Sequence, residues 1–335
     1  MDDDYKEITQ KIRRDLLKLA QVEETEYTTV LMQGSGSFGV ESVLGSVVPK
    51  DGCVLLLSNG AYGERAAKMC SYYEIPCIHV KQDYNKTPDA NEAEELLKTH
   101  PEITHIMMIH SETTSGILND IESIGKLAEA YGKVFIVDAM SSFAGVEIPV
   151  KDWYIDFLIS SANKCIQGVP GFSFIIANRV LLMESKGRAR SLCLDLYDQW
   201  AGMEKDGKWR YTSPTHVVLA FEQAMKELEQ EGGIKARHAR YQKNMDTLVE
   251  NFENLGFRLY VDKAWQGPII ATFLYPEGKH FDFQEMYAYI KERGYATYPG
   301  KLTDADTFRI GVIGEIYEED VLRLTEIMKS YMEQA

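Results

Sequence analysis

A lysine, an aspartate and a glycine-rich turn each follow an apolar segment of this 335-residue chain. Lys164 lies four residues past the segment DFLIS, and Asp138 ends the segment FIVD. The turn GSGSFG, residues 34–39, has the spacing G-x-G-x-x-G between a strand-like and a helix-like segment. A lysine can form a Schiff base, a carboxylate can stabilise a cation, and a turn at a helix N-terminus can bind an anion.

The glycine turn alone fits a dinucleotide fingerprint, which places such a turn between a strand and a helix. That fingerprint also needs an acidic residue about 20 residues further on, at the end of the second strand. Ser58, Asn59 and Gly60 stand at that place instead. The turn therefore favours a different phosphate, with the hydroxyls of Ser35 and Ser37 as further donors. A turn that only packs a strand against a helix is the alternative.

The phosphate turn, Asp138 and Lys164 together match the requirements of pyridoxal 5'-phosphate. This cofactor needs a phosphate site, a carboxylate that keeps its ring nitrogen protonated, and a lysine for the Schiff base. Because all three follow predicted strands, we expect them at one edge of the same sheet. Tyr62, in SNGAYG, is placed to stack on the cofactor ring. Taken singly, Asp138 could be a helix N-cap and Lys164 an ordinary surface lysine.

Apolar segments of strand length alternate with helix-like segments through the first half of the chain. Several are apolar throughout, which is typical of strands that are covered on both faces. This alternation predicts an α/β fold with a large, mostly parallel sheet of seven strands. Beyond Pro214, two long helices and then short strands and helices indicate a smaller α+β unit. We predict a large domain at residues 1–250 and a small C-terminal domain at 251–335. The seven predicted strands lie at residues 28–32, 53–57, 75–80, 103–109, 133–138, 156–160 and 172–177.

The composition argues against several classes of partner. A net charge of −15 and a pI near 5.0 repel polyanions, so nucleic acids and anionic membranes are poor partners. Five cysteines without a C-x-x-C pair favour neither a disulfide framework nor a zinc site, and no metal is expected. The N-terminal segment does not have the pattern of a signal peptide, and no apolar run reaches the roughly 20 residues of a membrane span. The sequence therefore predicts a soluble, cytoplasmic protein.

Eight segments resemble the class V, fold-type I pyridoxal-phosphate aminotransferases, and within that family especially the 2-aminoethylphosphonate–pyruvate transaminases. The segments run from near residue 27 to near residue 320, and their combination is specific although each alone is weak. They are QGSGSFGVESVLGS, SNGAYGERA, HSETTSGILND, DAMSSFAG, SANKCIQGVPGFSF, LDLYDQW, KWRYTSPTHVVLAFEQA and LTDADTFRIGVIGE.

The resemblance implies a role for each matching residue. Lys164 would form the Schiff base and carry protons, and Asp138 would pair with the pyridine nitrogen. Thr114 would approach the ring's phenolic oxygen. Thr212 would reach the phosphate of the neighbouring subunit, in a homodimer whose active sites are shared. The implied cofactor-binding residues are Ser35, Gly36, Ser37, Tyr62, Thr114, Asp138, Lys164 and Thr212.

The resemblance also implies the substrates. 2-Aminoethylphosphonate would be the amino donor and pyruvate the acceptor, and the products would be phosphonoacetaldehyde and alanine. Arg309 would bind the substrate carboxylate through two parallel hydrogen bonds. Otherwise Arg309 is an exposed arginine on a strand. Residue chemistry by itself reaches only an enzyme that acts on small anionic amines or amino acids.

Three alternatives stay open. The first is another class V transamination, of the alanine–glyoxylate or serine–pyruvate type. The second is desulfuration, which needs a mobile catalytic cysteine. Cys165 directly follows Lys164 and so should face away from it, and Cys193 has no evident role. The third is an N-terminally shortened homologue that binds the cofactor without turnover, because family members carry a TPGP-like segment before the region where this chain begins.

Overall fold

The structure is a computed structural model that describes residues 2–277, 281–299 and 305–334. Over these residues the chain forms a large seven-stranded sheet, a small four-stranded sheet and a two-stranded sheet of Ser111–Glu112 and Ile117–Leu118. Helices pack against the two larger sheets. The helices are α1 (Asp3–Leu19), α2 (Gly36–Val47), α3 (Ala61–Tyr72), α4 (Ala90–Thr99), α5 (Ile121–Ala130), α6 (Arg179–Glu184), α7 (Leu196–Asp206), α8 (Thr215–Glu231), α9 (Gly233–Asn254), α10 (Phe283–Lys291) and α11 (Glu318–Met332). The strands are β1 (Tyr27–Gln33), β2 (Cys53–Ser58), β3 (Cys77–Lys81), β4 (Ile103–Ile109), β5 (Ser111–Glu112), β6 (Ile117–Leu118), β7 (Val134–Asp138), β8 (Phe157–Ser161), β9 (Phe172–Asn178), β10 (Arg258–Leu259), β11 (Ile270–Leu274), β12 (Tyr298–Pro299) and β13 (Thr307–Gly311).

The predicted seven-stranded, mostly parallel sheet is confirmed, with the order β1-β9-β8-β7-β4-β2-β3. Neighbouring strands from β3 to β8 pair in parallel, whereas β9 pairs antiparallel with both β8 and β1. Successive residues of β2 alternate between two apolar cores: Leu55 and Leu57 join one, and Leu56 joins the other. Both faces are covered, and this explains why the strand segments are apolar throughout.

The C-terminal part of the chain has a core of its own. The small sheet has the order β10-β11-β13-β12 and packs against α9, α10 and α11. Phe252 of α9 stacks on Phe273 of β11, with ring centroids 5.0 Å apart. Helix α9 therefore crosses the predicted boundary between residues 250 and 251, and the division into two domains stays a proposal.

No helix in the described ranges is both long and apolar enough to cross a membrane. In the same part of the chain, no group of three or more His, Cys, Asp and Glu side chains could hold a metal ion. All five cysteines are free, and Cys193 is exposed.

Candidate functional site

A cavity of about 230 Å³ opens at the edge of the large sheet where β4, β7 and β8 end. Because β9 runs opposite to β8 and β1 runs opposite to β9, strand β1 also ends at this edge. The turn after β1 therefore reaches the same cavity as the loops after the parallel strands. Most of the predicted site residues share its wall: Ser35, Gly36, Ser37, Tyr62, Asp138 and Lys164.

The turn between β1 and α2 forms an anion-binding surface. Gly34 has a φ of 101°, which glycine adopts without strain, and this reverses the chain ahead of the helix. A Cβ on Gly36 would lie 2.2 Å from Sδ of Met140, so a larger residue at this position would displace the Met140 side chain. The side chain of Ser35 makes no capping hydrogen bond to the described part of α2. The first N–H groups of the helix and the hydroxyls of Ser35 and Ser37 are thus placed for an anion.

Asp138 ends β7 and is 5% exposed. Its Oδ1 accepts a hydrogen bond of 2.9 Å from the backbone N–H of Met140. Burial raises the pKa of Asp138 to about 6, and that hydrogen bond and the positive charges of Lys164 and Arg65 act in the opposite direction. A protonated ring nitrogen in the cavity would stabilise the ionised carboxylate, since an opposite charge offsets the cost of burial.

Lys164 lies in the loop between β8 and β9 and is partly buried in the cavity wall. The next residue, Cys165, is fully buried, and its Sγ donates to the carbonyl of Ser141 at 3.2 Å. Burial raises the pKa of this thiol to about 12. Cys165 therefore faces away from the cavity and stays protonated, which argues against desulfuration by this residue.

Tyr62 lies in the first turn of α3, close to an arginine that the motifs do not single out. Arg65 also lines the cavity, and its Nη1 donates to Oγ of Ser37 at 3.1 Å. Its Cζ lies 5.1 Å from the centroid of the Tyr62 ring, in a cation–π contact. The spacing i, i+3 from Tyr62 is the sequence signal that places Arg65 on the same helix face.

Thr114 does not line the cavity, but it forms a hydrogen bond with Ala61, the residue before the cavity-lining Tyr62. Its Oγ1 accepts from the N–H of Ala61 at 3.1 Å and donates to Oε1 of Glu112 at 2.5 Å. Its N–H also donates to that oxygen, at 3.0 Å. The proposed approach of Thr114 to the cofactor stays a prediction, and the structure adds Glu112 as its partner.

Glu112 is a fully buried carboxyl group beside the N-terminus of α3. A Cβ on Gly60 would lie 2.3 Å from Cδ of Glu112, so the glycine makes room for the acid. Burial raises the pKa of Glu112 to about 7, and the negative charge of Asp138 contributes. An isolated acid three residues after the apolar run IMMI that ends β4, in HSETTSG, is the sequence signal for such a group.

The raised pKa of Glu112 predicts a pH-dependent stability of the cofactor-free protein. The folded state binds the proton more tightly than the unfolded state, so stability falls as the pH rises from about 4.3 to about 7. Gln at position 112 keeps the acceptor for Thr114 but cannot ionise. Denaturant unfolding should show that E112Q gains about 3 kcal/mol relative to the wild type between pH 4 and pH 8. A difference that is constant with pH would contradict this result.

The remaining two predicted residues lie outside the cavity wall. Thr212 is exposed, and its carbonyl accepts a hydrogen bond from the side chain of Gln33, at the end of β1. Arg309 lies on β13, and its Nη1 donates to the carbonyl of Thr113 at 2.8 Å. This contact joins the small sheet to the loop that carries Thr114. The roles of Thr212 and Arg309 stay predictions.

Most of the chain matches a known protein family. The family model "Aminotransferase class-V" matches residues 1–308. The chain belongs to the class-V aminotransferases. The family resemblance of the sequence motifs is thereby confirmed, and membership implies pyridoxal phosphate as the cofactor.

Curated relatives in this family share more than half of their aligned residues with the chain. The 2-aminoethylphosphonate–pyruvate transaminase of Lysinibacillus sphaericus (strain C3-41) is 54% identical over 331 residues, which are 99% of this chain and 90% of the relative. A bifunctional phosphonoacetaldehyde hydrolase/aminoethylphosphonate transaminase of Clostridioides difficile (strain 630) is 52% identical over 332 residues. That alignment covers 99% of this chain and 52% of the relative, so the chain spans about half the length of the bifunctional protein.

Solved structures of other aminotransferases share the fold. Pyridoxamine–pyruvate aminotransferase from Mesorhizobium loti superposes with a TM-score of 0.91 at 22% identity, over 99% of this chain and 85% of that one. Alanine–glyoxylate aminotransferase from Nostoc sp. has a TM-score of 0.91 at 23% identity, over 98% and 87%. The predicted fold-type I architecture is confirmed by these neighbours.

Proposed function

We propose that the chain is a pyridoxal-phosphate-dependent transaminase that transfers the amino group of 2-aminoethylphosphonate to pyruvate. The products are phosphonoacetaldehyde and alanine. The observation that carries the proposal is the convergence of Lys164, Asp138 and the 35–37 turn on one cavity. The name and 54% identity of the Lysinibacillus sphaericus relative support the choice of substrates.

The residues present fit the cofactor at each of its ends. The first turn of α2 with Ser35 and Ser37 matches a phosphate, and Arg65 adds a positive charge beside Ser37. Asp138, whose buried carboxyl has a raised pKa, matches a protonated ring nitrogen. The partly buried ring of Tyr62 is placed to stack between them. When bound, pyridoxal phosphate supplies an electron sink for removal of a proton from the carbon that bears the amine.

Lys164 holds and moves the proton in this proposal. Its amine would hold the cofactor, and it would accept and return the proton at the substrate carbon that bears the amine. Asp138, with its buried carboxyl, would stabilise a protonated ring nitrogen. The same two groups act in reverse when pyruvate accepts the amine.

Two further assignments belong to the proposal. Arg309 binds the carboxylate of pyruvate and alanine, after it exchanges its contact with the carbonyl of Thr113 for the substrate. Thr212 serves the cofactor phosphate of a partner subunit, which agrees with its exposed position outside the cavity wall of its own chain. The assignment of Thr212 requires a homodimer with shared active sites.

A donor screen with purified protein tests the function. We expect alanine to form from pyruvate with 2-aminoethylphosphonate, and more slowly with serine as the donor. Glycine should likewise form more slowly from glyoxylate with alanine as the donor. Chromatography of the amino acids measures the product, and light scattering measures the dimer. Preference for another donor would replace the substrate assignment. Cofactor binding without turnover of any donor would instead identify a catalytically inactive homologue.

A further inference from the structure

The loop that carries Lys164 has a strained backbone. Gln167 has a φ of 66°, in the left-handed region that residues other than glycine rarely adopt. The N–H of Gln167 donates to the carbonyl of Lys164 at 2.8 Å, and the N–H of Gly168 donates to the carbonyl of Ala162 at 2.9 Å. Such a conformation persists only where the surrounding structure holds it. The position of the lysine therefore depends on what contacts this loop.

Helix α9 supplies these contacts through two buried side chains that lie one turn apart. Arg237 is 2% exposed, and its Nη1 donates to the carbonyl of Cys165 at 2.7 Å. The hydroxyl of Tyr241, also fully buried, accepts a hydrogen bond of 2.7 Å from Nε2 of Gln167. Residues four apart lie on the same helix face, so the two contacts hold the loop from one side.

Arg237 shares a carboxylate with a second arginine of the same helix. Its Nε and Nη2 lie 2.7 and 2.6 Å from Oε2 of Glu231, and Nε of Arg240 lies 2.7 Å from Oε1. Arg240 donates to the carbonyls of Gly314 and Ile316, at 2.6 and 3.1 Å, and these lie in the C-terminal part of the chain. The two arginines thus share one partner and contact different segments. A buried ion pair is by itself weak evidence that the pair stabilises the fold. The hydrogen bond from Arg237 to the carbonyl of Cys165 is a separate contact, made with the lysine loop.

We propose that Arg237, held by Glu231, is a positioning residue that fixes the loop so that the amine of Lys164 faces the cavity. Arg237 does not line the cavity of Asp138, although Arg237 and Lys164 both line a neighbouring open cavity. The direct contact of Arg237 with the lysine loop is the hydrogen bond to the backbone carbonyl of Cys165. This inference rests on the proposed function, in which Lys164 is the reacting residue. It extends that function by assigning to α9 the role of orienting the amine of Lys164.

The test compares R237M with the matched control R240M. Both variants remove one arginine from Glu231, but only R237M loses a contact with the lysine loop. In the cofactor-free proteins, we expect an acylating reagent to label Lys164 faster in R237M than in the wild type or R240M, as measured by peptide mass spectrometry. This readout needs no turnover, so it remains informative if the proposed function fails.

In the cofactor-loaded proteins, we expect R237M to lower kcat by about 10- to 100-fold with little change in KM, because a displacement of about 1 Å in a site can cost about 100-fold. R240M should lower kcat by less than about threefold, since it leaves the loop in place. R237K should recover part of the loss, because lysine can still donate to Cys165. Thermal unfolding shows that the variants are compared in their folded state.

Y241F is a second test of how α9 holds the loop if R237M does not fold. It removes only the hydroxyl, which accepts from Nε2 of Gln167 and, at 3.4 Å, from the N–H of Gly314. We expect faster labelling of Lys164 in Y241F as well. Equal labelling rates and equal kcat values in R237M, Y241F and R240M would overturn the proposal. The role of Arg237 would then be limited to stability.

Discussion

Replacing Lys164 with alanine is expected to abolish transamination. The proton transfer that the amine would perform is by itself worth about 10²- to 10⁴-fold in rate. The variant also loses the covalent link to the cofactor, so the visible absorption band of the bound cofactor should change. Steady-state assays of alanine formation and absorption spectra of the loaded protein measure the two effects. Folding should be unaffected, because Lys164 lies in a loop and is only partly buried.

The K164A variant offers an internal control. The phosphate turn and Asp138 are intact, so the variant should still bind pyridoxal phosphate without a covalent bond, as equilibrium dialysis can show. A small primary amine in the buffer should restore part of the rate, since it can enter the vacated space and carry the proton. Full activity of K164A, or an unchanged visible band, would remove Lys164 from the chemistry and with it the proposed function.

Replacing Asp138 with asparagine is expected to give the second-largest loss. The amide has nearly the same shape but cannot hold a positive charge on the ring nitrogen. Removal of one pre-organised electrostatic partner typically costs about 10²- to 10³-fold in kcat. Measurement of kcat with saturating donor and pyruvate tests this. The pH dependence of the bound cofactor's spectrum should shift as well, because its ring nitrogen loses the carboxylate that favours protonation.

Measurement of the free energy of unfolding distinguishes this loss of kcat from misfolding of D138N. The pKa of Asp138 is raised to about 6, so its ionisation costs stability in the cofactor-free protein as the pH rises through that range. D138N avoids this cost, and its free energy of unfolding at pH 8, without cofactor, should equal or exceed that of the wild type. Low activity together with undiminished stability is the expected combination. A D138N variant with wild-type kcat would show that the carboxylate does not contact the reacting system.

Much of the fold follows from local pattern. Apolar segments of strand length predict all seven strands of the large sheet, and those that are apolar throughout belong to strands covered on both faces. The edge strand β3 is only partly buried and carries His79 and Lys81. Gly232 and Gly233 separate α8 from α9, and both have positive φ. The short strands β5 and β6 carry no such pattern. They form where HSETTSGIL folds back on itself, and a two-residue strand has no periodicity to read.

The candidate site was predictable where it follows strand ends and was not where it depends on tertiary approach. Asp138 ends β7 and Lys164 lies in the loop that follows β8, so the parallel pairing of these strands brings the two residues to one edge of the sheet. Arg237 belongs to a helix some 70 residues further along the chain, and only packing brings it to the lysine loop. The acid at position 112 stands out in the sequence, but its full burial does not. The contacts of the α9 face with the lysine loop, and the burial of Glu112, could therefore be identified only from the structure.

The contact between Gly36 and Met140 restricts how this region can diverge. Since a Cβ at position 36 would overlap the thioether of Met140, the end of that side chain would have to move within the cavity wall. A side chain at position 36 therefore favours a smaller residue at 140, and the two positions should tend to covary among homologues. In laboratory evolution, libraries that vary both positions should yield more functional clones than libraries that vary position 36 alone.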